Sequence, residues 1–159
     1  MPVIPSRLLH FKAIQSKPMY RLPGAENRKP LHNGWMTQPA TALNILGQPL
    51  QACSYDPLTG YRRDGCCNTD ATDAGLHLVC AVMSQEFLEF SRSRGNDLIT
   101  PQPQWRFKGL KPGNRWCLCA LRWKEALQAG VAPKVVVAST HIRALDLLDL
   151  EDLLAHAHG

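Results

Sequence analysis

The chain has 159 residues, of which 45% are hydrophobic and 19% are charged, and its formal net charge is +5. This length and composition predict one globular domain with a core of its own. They exclude a membrane-spanning protein, because no apolar run approaches the length of a membrane helix.

The excess positive charge is confined to the N-terminal segment. Residues 1–35 carry six basic side chains and one acidic side chain, so residues 36–159 are net neutral. A neutral domain has no strong field to attract polyanions, which argues against nucleic-acid binding. Five prolines and no hydrophobic periodicity predict a disordered basic leader over residues 1–38 and a single globular domain over residues 39–159. Met36 is an alternative natural start.

Turn-forming residues dominate the first part of the predicted domain. The segments "SYDPLTGYRRDG" and "NTDATDAG" combine Asp, Asn, Gly and Pro as turns do. Cys66 and Cys67 lie between them, so we expect both on a loop or at a strand edge. Residues 76–83, "LHLVCAVM", alternate with apolar residues on both faces, which predicts an interior strand. His77 would then be a core histidine hydrogen bonded to the backbone.

A helix, a long loop and a strand–helix pair follow. Ser84 is a predicted N-cap for the helix "QEFLEFSRSR", and Gly95 is the predicted C-terminal stop. Residues 96–114 form a loop long enough to have a function of its own. Residues 116–121 alternate as a strand does, and the chain then reads as helical to Gly130.

The C-terminal part predicts one more strand and two helices. Residues 134–140, "KVVVAST", form a β-branched run typical of a strand. The helix that follows would be capped by Ser139 or Thr140, and a last short helix by Asp149. Strands and helices in irregular order predict an α+β fold, with a small mixed or antiparallel sheet packed against a few short helices and connected by long loops.

Six cysteines are the most unusual feature of the composition. The leader lacks the continuous apolar centre of a secretory signal, so we expect a cytoplasmic protein in which disulfides are not the default. A first interpretation is a metal site, with zinc as the candidate ion and thiolates as ligands. The spacing of the cysteines is not that of a typical zinc knuckle. Its candidate ligands are Cys66, Cys67, Cys117, Cys119 and His77.

A second interpretation is nucleophilic or redox thiol chemistry at the Cys66–Cys67 loop. Arg62 and Arg63 would lower the pKa of a neighbouring thiol, and a histidine would serve as base. Cys67 would act as the resolving thiol, or the two adjacent cysteines would close a vicinal disulfide. The candidate catalytic residues are Cys66, Cys67 and His141.

A third interpretation is that the cysteines are structural, because free cysteine behaves as a small buried hydrophobe. The protein would then be a non-catalytic interaction module. Its weak point is the Cys66–Cys67 doublet, whose neighbours are polar.

Long and unusual motifs connect the chain to a known family. The segments "NILGQPLQACSYDPLTGYRRDGCCNTD", "HLVCAVMSQEFLEFSRSRGNDL", "GLKPGNRWCLCALRW" and "GVAPKVVVASTHIRAL" resemble the bacterial domain of unknown function family 2237, from about Ala42 to Ala157. The resemblance implies a small α+β fold and a bacterial cytosolic protein. It implies no activity, substrate or catalytic residue, so the three interpretations stay open.

We therefore expect the functional surface at three segments: the Cys66–Cys67 loop, the Cys117-x-Cys119 strand and the 96–114 loop. The side chains predicted to bind a ligand there are Arg62, Arg63, Asp64, Asn68, Asn96 and Trp105.

Overall fold

The computed structural model describes residues 41–159. In chain order its regular elements are β1 (Val79–Val82), α1 (Gln85–Ser93), β2 (Arg115–Leu118), α2 (Ala120–Gln128), β3 (Lys134–Val135) and α3 (Leu150–Ala155). Three short 3-10 helices cover Pro103–Trp105, Val137–Ser139 and Ile142–Asp146. The leader predicted for residues 1–38 lies outside the described residues.

A three-stranded antiparallel sheet with the order β2-β1-β3 forms the centre of the fold. The middle strand, β1, is buried on both faces, as its apolar alternation predicts. Its register places Cys80 opposite Cys117 and Ala81 opposite Trp116. The sheet and the short helices confirm the α+β class.

Two nine-residue helices cover the sheet, and both begin directly after a strand. The side chain of Ser84 accepts a hydrogen bond of 3.1 Å from the backbone N–H of Phe87, which confirms the predicted N-cap of α1. Gly95 has a φ of 83°, the left-handed conformation that the predicted stop requires. Arg94 joins the two helices through a 2.7 Å ion pair with Glu125 of α2.

The main hydrophobic core lies between the sheet and these helices. Trp123 is fully buried at its centre, and its indole N–H donates to the carbonyl of Pro133. Its largest other members are Phe87, Leu78, Leu88, Leu110, Leu118 and Leu153. A second buried cluster, formed by Cys53, Cys67, Cys80 and Cys117, lies apart from this core.

The strand predicted over residues 134–140 is wrong beyond Val135, where the ladder to β1 ends. The chain instead turns through a 3-10 helix at Val137–Ser139. This turn lets the Thr140 hydroxyl donate to the Val136 carbonyl and accept from the backbone N–H of Cys80. These side-chain bonds satisfy backbone groups that a longer strand would have paired.

The two C-terminal helices also differ from their predictions. The segment after Thr140 is a 3-10 helix capped by His141, not by Ser139 or Thr140. Asp149 does hold the N-cap position of α3, but its side chain makes no capping hydrogen bond.

Candidate functional site

Four of the six cysteines form two buried disulfides, which the sequence analysis did not expect. Cys53 bonds Cys80, and Cys67 bonds Cys117, with sulfur–sulfur distances of 2.02 and 2.19 Å. All four side chains are at most 4% exposed. The sulfurs of Cys53, Cys67 and Cys117 lie within 4.8 Å of one another, so the two disulfides are neighbours. Cys67 and Cys117 therefore offer no free thiolate in this structure.

Cys66 and Cys119 are the free cysteines of the described chain, and both are partly exposed. The environment of Cys66 is the opposite of the expected one. Burial and the neighbouring Asp64 carboxylate raise the pKa of the Cys66 thiol. The arginines are engaged elsewhere, because Arg62 pairs with Asp70 at 2.7 Å and the Arg63 guanidinium lies 5.1 Å from the centre of the Trp116 ring.

Cys119 occupies the junction between β2 and α2, where it is the N-cap residue of the helix. The backbone N–H of Ala120 donates a 3.0 Å hydrogen bond to the carbonyl of Leu76, which ties the start of α2 to the loop that precedes β1. In residues 41–159, the N–H groups of Leu121 and Arg122 find no acceptor, as is usual in the first turn of a helix. Cys119 thus lies beside free backbone donors and the positive end of a helix dipole.

Asp73 holds His77, whose chain neighbour Leu76 is hydrogen bonded to Ala120, the residue after Cys119. The His77 Nδ1 atom is 2.6 Å from Asp73 Oδ1, and the backbone N–H of His77 donates to Oδ2 of the same carboxylate. The Thr69 hydroxyl donates a third hydrogen bond to Asp73. Because Nδ1 is engaged with Asp73, Nε2 is the ring nitrogen left for another partner.

The pKa values of His77 and Asp73 are both shifted by their neighbours. Side-chain hydrogen bonding with Cys119 and, to a smaller extent, the Asp73 carboxylate raise the pKa of His77 to about 9, against the opposing effect of burial. Burial disfavours the charged form of Asp73, but the hydrogen bonds from the His77 backbone and ring outweigh it and lower the pKa of this carboxyl. Asp73 is therefore an ionised acceptor, and Nδ1 of His77 is the donor.

The backbone around His77 is shaped to fit its ring. A Cβ atom on Gly75 would lie 2.5 Å from Cε1 of His77, so only glycine leaves room for the imidazole. Leu76 has a φ of 48°, an unfavourable left-handed conformation for leucine. Strained backbone of this kind concentrates at functional sites. Tyr61 stacks on the ring, with centroids 6.0 Å apart and an interplanar angle of 14°.

Two surface cavities adjoin this arrangement. The first, of about 390 Å³, is lined by His77, by the charged side chains of Arg63 and Asp97, and by an aromatic wall that includes Trp105, Phe107 and Trp116. The second, of about 340 Å³, is lined by Gly75, Cys119, Leu121 and Arg122, among others. His77 thus borders one cavity and Cys119 the other.

The remaining predicted site residues have local roles. Asp64 accepts hydrogen bonds from the backbone of Cys66 and from the Asn68 side chain. The Asn96 side chain donates to the Ser91 hydroxyl near the end of α1. Buried His141 accepts a hydrogen bond at Nδ1 from the Arg143 N–H, and burial with the nearby Arg143 lowers its pKa. Trp105, at 69% exposed, lines the first cavity.

Asp73 is not among the site residues predicted from the sequence, and His77 is predicted to lie on a buried strand. In the structure β1 begins only at Val79, and His77 lies on the loop before it with its side chain 32% exposed. The sequence feature that indicates this pair is the "DAGLH" segment, which places an acid four residues before a histidine with a glycine between them. The corresponding feature for the thiol is the position of Cys119 at a strand-to-helix junction.

Comparison with known proteins gives one result for most of the chain. The model of the family described as "Uncharacterized protein conserved in bacteria (DUF2237)" matches residues 43–157. No curated protein matches the chain. In the described residues, no helix has the length and apolar character needed to cross a membrane.

Proposed function

The chain belongs to DUF2237, a family of uncharacterized bacterial proteins. From the geometry of the site we propose that Cys119 is the nucleophile of an acyl-transfer or hydrolytic enzyme. His77 is its general base, and Asp73 positions His77. The observation that carries this proposal is the placement of the Asp73–His77 pair next to Cys119. A buried acid orients a histidine, and the loop of that histidine is hydrogen bonded to the residue that follows a partly exposed thiol.

The chemistry follows from the charges at the site. The thiolate is the reactive form of cysteine, and an adjacent imidazolium and a helix N-terminus both stabilise negative charge on sulfur. The Cys119 sulfur would attack the carbonyl carbon of an ester, thioester or amide. The N–H groups of Leu121 and Arg122 are free to bind the oxyanion that forms at that carbon.

Proton transfer through His77 completes the cycle. His77 gives its Nε2 proton to the leaving group as the carbon–heteroatom bond breaks, which leaves an acyl thioester on Cys119. Neutral His77 then takes a proton from water, and the resulting hydroxide equivalent releases a carboxylic acid and restores the thiolate. The cavity beside His77 supports this step, because it gives solvent or an acceptor molecule access to the base.

The three interpretations from the sequence find less support. A redox pair of Cys66 and Cys67 needs a Cys67 thiol, which the Cys67–Cys117 disulfide removes. A zinc site formed by the predicted ligands Cys66, Cys67, Cys117, Cys119 and His77 would require the Cys67–Cys117 disulfide to break and His77 to leave Asp73. An interaction module accounts for four structural cysteines, but it gives no reason for the Asp73–His77–Cys119 arrangement.

The cytoplasmic location stays a prediction. The two disulfides weigh against it, because the cytosol keeps most thiols reduced. The absence of nucleic-acid binding also stays a prediction, resting on the net neutrality of residues 36–159.

The experiment uses p-nitrophenyl acetate, an activated ester that needs no specific binding pocket. We expect a burst of p-nitrophenol near one equivalent, with the acetyl group mapped to Cys119 by mass spectrometry. His77→Gln should slow the burst on the order of 100-fold or more, as for loss of a general base. Asp73→Asn should slow it less and also lower the pKa of His77, which a merely structural role would not do.

Cys66→Ser is the matched control, because it removes the other free thiol. It should leave the burst unchanged. Acetylation of Cys66 or of lysines in place of Cys119, or a burst that His77→Gln does not slow in a folded protein, would contradict the proposal.

A further inference from the structure

We infer that the four disulfide cysteines become a zinc site when both bonds are reduced, with Cys53, Cys67, Cys80 and Cys117 as the ligands. This site is distinct from Cys119 and His77 and does not depend on the proposed enzyme activity. It also differs in membership from the ligand set predicted from the sequence.

The backbone already gathers the four side chains at one face of the sheet. Cys80 and Cys117 are direct partners in the antiparallel ladder of β1 and β2, so their side chains lie on the same face of the sheet. Cys53 and Cys67 approach that face from loops, with Cα–Cα distances of 5.6 and 5.2 Å to their strand partners.

Three of the four sulfurs already lie close to the spacing of a thiolate metal site. The sulfurs of Cys53, Cys67 and Cys117 lie within 4.8 Å of one another, and Cys80 is directly bonded to Cys53. Tetrahedral zinc with bonds of about 2.3 Å needs sulfurs roughly 3.8 Å apart. Reduction releases Cys80 from Cys53, and rotation of the Cys80 side chain then has to bring its sulfur to the other three.

Hydrogen bonds outside the disulfides hold the cysteine backbones in place. The Cys53 N–H donates 2.8 Å to the Gly65 carbonyl. The Cys117 N–H donates 2.7 Å to the Thr59 hydroxyl, and the Cys80 N–H donates 3.2 Å to the Thr140 hydroxyl. These bonds do not involve the sulfurs, so reduction need not break them, and they hold three of the four ligand backbones without the crosslinks.

Burial explains why the reduced cluster would take up a cation. The four side chains are at most 4% exposed, and Val136 is the partly buried hydrophobic residue that packs against them. Four thiols released in so small a space have few polar partners, and zinc satisfies them together as thiolates. Zinc–thiolate bonds would then replace the disulfides as the connection between the loops and the sheet.

The reaction balances with a dithiol or phosphine as the reductant. Each disulfide takes up two electrons and two protons to give two thiols. The dithiol becomes a disulfide and supplies the protons, or the phosphine becomes its oxide by taking oxygen from water, which supplies the protons. Binding of one Zn²⁺ to the four thiols then releases four protons. Oxidation by a disulfide reverses these steps and expels the metal.

The test treats the full chain with a phosphine reductant, removes the reductant without oxygen, and adds zinc. We expect one zinc per chain by elemental analysis, with four cysteines protected from alkylation while Cys66 and Cys119 still react. Co²⁺ in place of zinc should give the absorption bands of tetrahedral thiolate coordination. The oxidised protein should bind no stoichiometric metal.

Variants separate this site from the catalytic one. Cys80→Ser should weaken zinc binding by more than about 100-fold, which is a larger loss of affinity than removal of a residue that only hydrogen bonds to a ligand would cause. Cys66→Ser and Cys119→Ser should leave binding unchanged. The inference is overturned if the reduced protein binds no stoichiometric zinc, whether or not it stays folded, or if zinc is lost in Cys119→Ser and retained in Cys80→Ser.

Discussion

Cys80 and Cys117 face each other across β1 and β2, yet each is bonded to a different loop cysteine. The two disulfides thereby fasten two separate loop positions, Cys53 and Cys67, to the middle of the sheet. A disulfide of this kind typically contributes about 2–4 kcal/mol, mainly by constraining the unfolded chain. The loop that follows Cys67 carries Asp73 and then His77, so the crosslinked cluster also anchors the segment that forms the candidate site.

The titration of His77 is the first prediction. NMR should show a midpoint of about 9 for this imidazole, raised from its usual 6.5 mainly by Cys119. The Cys119→Ala variant should shift the midpoint down. A midpoint near 6.5 in the unmodified protein would show that the ring and the sulfur do not interact.

The same shift has a consequence for stability. A pKa raised on folding means that the imidazolium stabilises the folded state fully below pH 6.5, less as the pH rises, and no longer above about 9. The free energy of unfolding lost in His77→Gln should therefore be larger at pH 6 than at pH 9.5 by denaturant titration. The lowered pKa of Asp73 adds a contribution that is lost only in acid.

Gly75→Ala is predicted to disable the site without unfolding the protein. The added Cβ would lie 2.5 Å from Cε1 of His77, so the ring has to move away from its position beside Cys119. Alkylation of Cys119 by iodoacetamide should slow on the order of 10- to 100-fold, as for other small displacements of a catalytic group.

Gly113→Ala is the control for the loss of a glycine. Its added Cβ meets nothing within 4 Å, but its φ of +89° is unfavourable for alanine. This variant should lose about 1 kcal/mol of stability and keep the alkylation rate of Cys119. Equal rates in both alanine variants would show that the position of the His77 ring does not matter.

Ser84→Ala tests the N-cap of α1. The Ser84 side chain accepts the Phe87 N–H, and its removal should cost about 1 kcal/mol in chemical denaturation. Asp149→Ala removes the N-cap residue of α3, whose side chain makes no such bond, and should cost clearly less. If both variants lost the same stability, the hydrogen bond would not be the cause.

Local signals predicted α1 well because its determinants are adjacent in sequence. Ser84, the apolar stripe of the helix and Gly95 each act within a few residues of one another. The extent of β3 depended instead on Thr140, whose hydroxyl bonds the backbone of Cys80, 60 residues away. Alternation of apolar residues carries no information about such a long-range bond.

The candidate site was obscured by the backbone at Leu76. Read as a strand, residues 76–83 place His77 on a regular face, but the positive φ of Leu76 breaks the alternation and turns the imidazole towards Asp73. Asp73 itself lies among turn-forming residues, and nothing in the sequence distinguishes it from nearby polar residues such as Asp70 and Thr72. The pairing of the cysteines was also out of reach, because spacing alone does not determine disulfide connectivity.

The hydrogen bond from Ala120 N–H to the Leu76 carbonyl makes the two halves of the candidate site one cooperative unit. A local opening that frees this amide to exchange with solvent deuterium also separates the sulfur from the imidazole. Hydrogen exchange at Ala120 and loss of Cys119 reactivity therefore follow the same opening equilibrium, with the same dependence on temperature and denaturant.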